Sequence, residues 1–185
     1  MSQRFVLAAV AAAVLGLSAC STSAPTRVEP TYDEAANNAF IASNKAAIDK
    51  LLAGVSRENI GQSAVLVATV VNVNDLSRAA PLGRTLSEQY ASQLVGNGLH
   101  VKELKLRGDV FVKEGTGELL LSREIKDIAK SHNASVVLVG TYSTATSVTY
   151  VSLKMVRTED GRILNGHDYA LPNDRDVQRL LQVPR

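Results

Sequence analysis

The chain has 185 residues, 45% of them hydrophobic and 21% charged, with 20 Lys and Arg set against 18 Asp and Glu. That balance excludes a disordered chain, which combines low hydrophobicity with high net charge, and it excludes a phosphate-binding surface, which needs a basic excess or a Lys/Arg cluster. Five Tyr, three Phe and no Trp are too few rings for a base-stacking platform, so nucleic acid is not an expected partner.

Arg4 precedes an unbroken apolar run from Phe5 to Leu17, followed by Ser18, Ala19 and Cys20. A charged start, a short apolar stretch and small residues before a cut define an export signal, expected here over residues 1–19. The run is shorter than the roughly 20 apolar residues needed to cross a bilayer. Leu17-Ser18-Ala19-Cys20 resembles the bacterial lipobox, in which the Cys thiol receives a diacylglyceryl group, the signal is cut before the Cys, and the new amine is acylated. Cys20 is therefore the expected lipidation site, and as the single Cys of the chain it has no disulfide partner. Two lipid chains already anchor a protein stably, so three acyl chains of the palmitate kind would hold it at the membrane. Ser21 rather than Asp follows the Cys, which resembles the sorting pattern for the outer membrane.

Residues 20–30 form a Ser/Thr/Pro segment without hydrophobic period and are expected to tether the lipid to a domain over residues 31–172. A tether of this length reaches only about 15–20 Å, which keeps the domain close to the membrane. Thr31 and Glu34 have capping-box spacing, and Phe40, Ile41, Ala47, Ile48, Leu51, Leu52 and Val55 recur at helical intervals, predicting one long helix that ends near Gly54. Ala64 to Val71 is continuously apolar and β-branched, as in a central strand buried on both faces. Pro81 suits a first helical position, Leu82, Leu86, Tyr90 and Leu94 follow at i+4 spacing, and Asn97-Gly98 supplies a stop. Leu99 to Arg107 reads as a second strand, Val110 to Val112 as a short one, and Ser122 as the cap of a helix carrying Ile125, Ile128 and Ala129 and stopped at Asn133.

The last third changes character. Ser135 to Tyr142 is another apolar run, and Ser147 to Val156 alternates, with Val148 and Tyr150 on one side and Thr and Ser facing outward. Thr158-Glu159-Asp160-Gly161 is turn chemistry, and Arg162 to Ala170 pairs back. The expected fold class is α/β with α+β character at the C-terminus: a single mixed sheet, two β-α-β crossovers followed by an antiparallel β-meander, with helices packed on the sheet. Residues 173–185 form a tail with a short helix around Val177, Leu180 and Leu181.

Candidate chemistry is sparse. His100, His132 and His167 are far apart and fall in no metal-ligand spacing, so no metal is expected. The elbow that carries a serine nucleophile and the glycine loops that cradle phosphates are absent, so neither a catalytic set nor a cofactor is expected. Glu114 and Glu118 flank a glycine-rich loop, and Asp75 and Glu88 could flank the C-terminal end of a strand; these are the acid/base candidates of an enzymatic reading. Asn72, Asn74 and Asp75 after the first strand, with Arg84 on the second helix, read more simply as Asx turns and a surface Arg. Tyr90 and Tyr142 are expected in the core and sheet, each with its hydroxyl wet.

Several stretches together are similar to the FlgO-domain family of outer-membrane lipoproteins associated with flagella. They are Val67-Ala68-Thr69-Val70-Val71-Asn72-Val73, Leu82-Gly83-Arg84-Thr85-Leu86-Ser87-Glu88-Gln89, Gly98 with Val101-Lys102-Glu103-Leu104-Lys105-Leu106-Arg107, Gly117-Glu118-Leu119-Leu120-Leu121-Ser122-Arg123, and Val139-Gly140-Thr141-Tyr142-Ser143. The resemblance implies a non-enzymatic, periplasm-facing domain that binds envelope or flagellar proteins and supports motility through the outer-membrane part of the flagellum, with Gly83 and Gly140 placed for close packing and Leu86, Leu104 and Leu106 for the core. The domain also resembles, more distantly, small α/β modules of lipoproteins that assemble envelope machines. An envelope-assembly role, as a secretion-channel subunit or an activator of a cell-wall synthesis enzyme, is thus the alternative. Homo-oligomerisation is left open.

Overall fold

A computed structural model describes residues 29–76, 80–104, 111–113, 119–121 and 123–182. The expected signal at 1–19, Cys20, Glu114, Glu118, Ser122 and Leu106 lie outside these residues.

The described residues fall into two compact units that divide between Ala36 and Asn37. In the first, the predicted capping box closes at the start of helix α1 (Tyr32–Ala36): the Thr31 N–H donates to Glu34 Oε2 at 2.8 Å, and the Glu34 N–H donates back to Thr31 Oγ1 at 3.3 Å. The single long helix predicted here is in fact two. A second cap explains the break, because the Asn38 side chain accepts from the Phe40 N–H at 2.8 Å and starts α2 (Ala39–Ala53) afresh.

The second unit is built on a six-stranded sheet in the order β3-β1-β6-β7-β8, with β2 beside β6. Its strands are β1 (Ala64–Ala68), β2 (Val71–Asn72), β3 (Val101–Leu104), β6 (Ala134–Thr144), β7 (Val148–Arg157) and β8 (Ile163–Pro172). The helices are α2, the short α3 (Arg57–Ile60), α4 (Pro81–Gly96), α5 (Arg123–Ser131) and α6 (Arg175–Leu181). β1 runs parallel to both β3 and β6, and β6, β7 and β8 form the antiparallel meander. The expected mixed α/β sheet with two crossovers and a terminal meander is therefore the observed one. The predicted strand near 110–112 is β4 (Phe111–Lys113), which lies off the main sheet and pairs antiparallel with an unexpected strand, β5 (Leu119–Leu121).

All five residues of β1 are buried, which is why its sequence does not alternate. Val65 and Val67 join the core shared with α2, α4 and α6, through Ile48, Leu51, Leu86, Leu94 and Val177, whereas Ala64, Leu66 and Ala68 join a second core with Ala129 of α5. Each fully buried Leu, Ile or Val contributes about 1.5–3 kcal/mol, so this double-sided strand is the centre of the fold.

Two local predictions are corrected. The continuous first strand is interrupted at Thr69 and Val70, where the Val70 N–H is taken by a side chain of α4 instead of by a neighbouring strand. In β7 the predicted phase is reversed: Thr149, Val151, Leu153 and Met155 are buried, and Tyr150 is 57% exposed. The hydroxyl of Thr149 is accommodated inside because it donates to Asn173 Oδ1 at 2.7 Å.

Candidate functional site

In open α/β sheets, ligands tend to bind where the crossovers diverge, at the carboxyl ends of the strands. Here that point lies between β1–β2 and β6, and it holds Asn72, Asn74, Asp75 and Tyr142. The Asn74 N–H donates to Asn72 Oδ1 at 2.8 Å and the Asp75 N–H donates to the Asn72 carbonyl at 3.1 Å, so the expected Asx turn is formed. Tyr142 is buried, and burial is the main cause that raises its hydroxyl above the ordinary phenol range; the hydrogen bond with Asn72 pulls the other way, and Asp75 adds to the rise. Arg84 and Glu88 are exposed on α4. Asn72 and Tyr142 serve the local turn and the sheet.

The histidines are dispersed. His100 precedes β3, His132 follows α5 with its carbonyl accepting from Lys102 Nζ at 3.2 Å, and His167 on β8 lies parallel to the Tyr169 ring at 6.4 Å between centroids. Among the described residues no group of three His, Cys, Asp or Glu could hold a metal ion, and no helix is long and apolar enough to cross a membrane.

The interior polar chemistry lies elsewhere. Tyr90 on α4 is 1% exposed, and its hydroxyl is not wet as expected but bonded to the hydroxyl of Tyr169 on β8. Tyr169 donates to Asn44 Oδ1 at 2.5 Å, and the buried Asn44 amide donates to Gln89 Oε1 at 2.6 Å. Because the single Tyr169 proton goes to Asn44, Tyr90 must be the donor of the first bond. The relay thus runs Tyr90, Tyr169, Asn44, Gln89, and it ties α2, α4 and β8 together.

Burial raises both hydroxyls above the ordinary phenol range. A raised folded-state pKa gives stability that is intact below the unfolded value and lost above it. Folding free energy is therefore expected to fall once pH exceeds about 10, by about 1.4 kcal/mol per pH unit for each buried tyrosine. Denaturant titrations between pH 8 and 12 check this, and Tyr169→Phe should make the fall shallower.

A cleft of about 350 Å³ opens at the opposite end of the parallel strands. Ile60 and Leu99, just ahead of β1 and β3, line it with Leu52 and Val55 from the end of α2 and with Asp49 and Asn97. Gln93 Nε2 donates to Asp49 Oδ1 at 2.8 Å and Asn97 Nδ2 donates to the same oxygen at 3.4 Å. The Asn44–Gln89 and Asp49–Gln93 contacts advance together along both chains, so α2 and α4 lie side by side and parallel, with both C-termini at the cleft. The sequence offered no motif for this cleft, since its residues come from two stretches, 49–60 and 97–99, that lie far apart in the chain.

The seam between α4 and the sheet, by contrast, was legible. A Cβ on Gly83 would lie 1.9 Å from the Val70 carbonyl oxygen, and one on Gly140 would lie 2.9 Å from side-chain carbons of Leu153 and Val70. Both glycines are therefore close-packing positions, as the family resemblance implied. One turn beyond Gly83, the Ser87 hydroxyl accepts the Val70 N–H at 2.9 Å and donates to the Gly83 carbonyl at 2.8 Å, supplying the partner that the interrupted strand lacks. The sequence signal for Ser87 is the small-residue stripe that Gly83, Ser87 and Ala91 form at i+4 spacing.

These features define an α/β domain with a double-sided sheet, a rigid helix seam and an open cleft, and without an assembled catalytic set among the described residues. The family model described as FlgO protein matches residues 45–176, and the chain belongs to that family. A search of the curated proteins returned no match. Among solved structures, the LpoB C-terminal domain from Salmonella enterica is similar in fold, with 16% identity, a TM-score of 0.53, and coverage of 72% of this chain and 98% of that one. The Escherichia coli LpoB C-terminal domain gives 16% identity, a TM-score of 0.50 and the same coverages. A PelC dodecamer from Paraburkholderia phytofirmans, at 15% identity over 60% of this chain and 71% of that one, reaches a TM-score of only 0.42.

Proposed function

We propose that the chain is a non-enzymatic outer-membrane lipoprotein, anchored through Cys20, whose periplasm-facing domain binds envelope proteins and supports the outer-membrane part of the flagellum and hence motility. The observation that carries this reading is the family match over residues 45–176. The lipobox-like Leu17-Ser18-Ala19-Cys20 supports it from outside the domain, because it supplies the anchor that such a role requires. Loss of the gene is expected to impair flagellar assembly or swimming; normal flagella, normal swimming and an intact outer membrane in the deletion strain would overturn the reading.

The anchor has its own test. Cys20→Ala should leave the protein unlipidated and absent from the outer-membrane fraction, read by metabolic labelling with a palmitate analogue and by membrane fractionation. Label that persists on the variant would refute Cys20 as the acceptor.

A further inference from the structure

Resting on the protein-binding role proposed above, we infer that the cleft between the ends of α2 and α4 seats a lysine side chain of a protein partner. Three independent features of the cleft define the occupant.

The first is charge. Among the described residues, Asp49 is the one charged residue that lines the cleft, and the carboxyl ends of two parallel helices, of 15 and 16 residues, lie beside it. A helix C-terminus carries roughly half a negative charge, so the end of α4 beside a carboxylate makes a locus that favours a cation. Lys50 stands in the last turn of α2, but α4 has no basic residue in its last turn to offset its share.

The second is the hydrogen-bond count. Gln93 and Asn97 both donate to Asp49 Oδ1, and among the described residues nothing donates to Oδ2. A guanidinium engages a carboxylate best through both oxygens at once, whereas an ammonium needs only one. A single open oxygen therefore selects lysine over arginine.

The third is the wall. Leu52, Val55, Ile60 and Leu99 offer apolar surface beside that oxygen, in a volume of about 350 Å³. An aliphatic stem laid along them with its cationic end at Asp49 uses both parts of a lysine side chain, in the way long basic side chains bury their methylenes. The size is at the lower end of the range of ligand pockets, which run from about 300 to 1,000 Å³.

The test is a ¹⁵N–¹H titration of the purified full chain with Nα-acetyl-lysine N-methylamide, its arginine counterpart and the neutral norleucine isostere. The lysine probe is expected to shift the amides of residues 52–55 and 97–99 saturably, with the norleucine probe at least about tenfold weaker and the arginine probe no tighter than lysine. Asp49→Asn, an exposed and isosteric change that can still accept from Gln93, should weaken the lysine probe by a similar factor while leaving the β7 and β8 amides unmoved. Equal binding of lysine and norleucine, tighter binding of arginine, an unaffected Asp49→Asn variant, or shifts away from the cleft would each overturn the inference; the probe comparison needs no variant at all. If the lysine probe seats as expected in a chain whose deletion leaves flagella and envelope intact, the functional reading fails and the cation site stands. If the probe does not seat while the deletion impairs swimming, the site fails and the functional reading stands.

Discussion

Gly83→Ala is expected to destabilise the domain by at least about 3 kcal/mol, measured as a lower denaturant midpoint with an unchanged slope. The added methyl would stand 1.9 Å from the Val70 carbonyl oxygen, and neither partner can step aside. Gly83 sits in the first turns of α4, whose Leu82, Leu86 and Leu94 are fully buried, and Val70 lies in the strand break that Ser87 repairs. Relief would require moving the whole helix off the sheet, which opens voids beneath three leucines. Domains of this size have only about 5–15 kcal/mol in hand, so the variant should lose a large share of its folded population at growth temperature. Gly96→Ala, in the same helix, provides the opposite sign: nothing lies within 4 Å of its would-be Cβ, and a gain of about 0.5–1 kcal/mol is expected from better helix propensity alone. If both changes behaved alike, helix propensity rather than close approach would be the dominant factor at Gly83.

The second large effect concerns the buried relay. Asn44→Ala should cost about 2–3 kcal/mol, because it leaves the Tyr169 hydroxyl without its acceptor and Gln89 Oε1 without its donor. Tyr169→Phe should cost nearly as much, since Tyr90 then keeps a buried O–H with nothing to receive it. Tyr90→Phe removes only the terminal donor of the chain and should cost about 1 kcal/mol. The ordering follows from the direction of the protons rather than from the number of atoms removed. A result in which Tyr90→Phe is the worst of the three would mean that the relay runs the other way.

The sequence revealed those parts of the fold in which one local pattern decides the outcome. β1 could be recognised because a strand buried on both faces has no polar residue to interrupt it, and α4 because Pro81, the i+4 leucines and Gly98 mark its start, face and end. The double helix at 31–53 was misread because Asn37-Asn38 does not break the hydrophobic period; only the cap bond from Asn38 to Phe40 shows that the helix restarts. Thr149 was placed on the wrong face for a related reason. A threonine reads as outward until its hydroxyl is seen to have a partner, and that partner, Asn173, comes 24 positions later.

The candidate sites divide along the same line. The Asx turn at Asn72 was foreseeable, since its bonds span two or three residues. The relay was not, because Asn44, Tyr90 and Tyr169 are scattered over 125 positions and each looks like ordinary packing on its own. Asp49 resembles any exposed helix carboxylate until α4 is laid parallel to α2. Close-packing glycines stand between these extremes: the family resemblance implied the role of Gly83 and Gly140, although not the atoms they admit.

The position of β6 bears on how the chain reaches this state. It pairs with β7 through a short turn, but its parallel partner β1 enters from about 70 positions upstream, with Val65 beside Val136. Local pairings form early because little chain entropy is lost in closing them, whereas distant parallel ones wait. The β6–β7–β8 meander can therefore serve as a template on which the earlier half of the chain assembles last. Until it does, the β1-facing edge of β6 is an open row of backbone donors and acceptors, and that interval is when one copy is most exposed to capture by another.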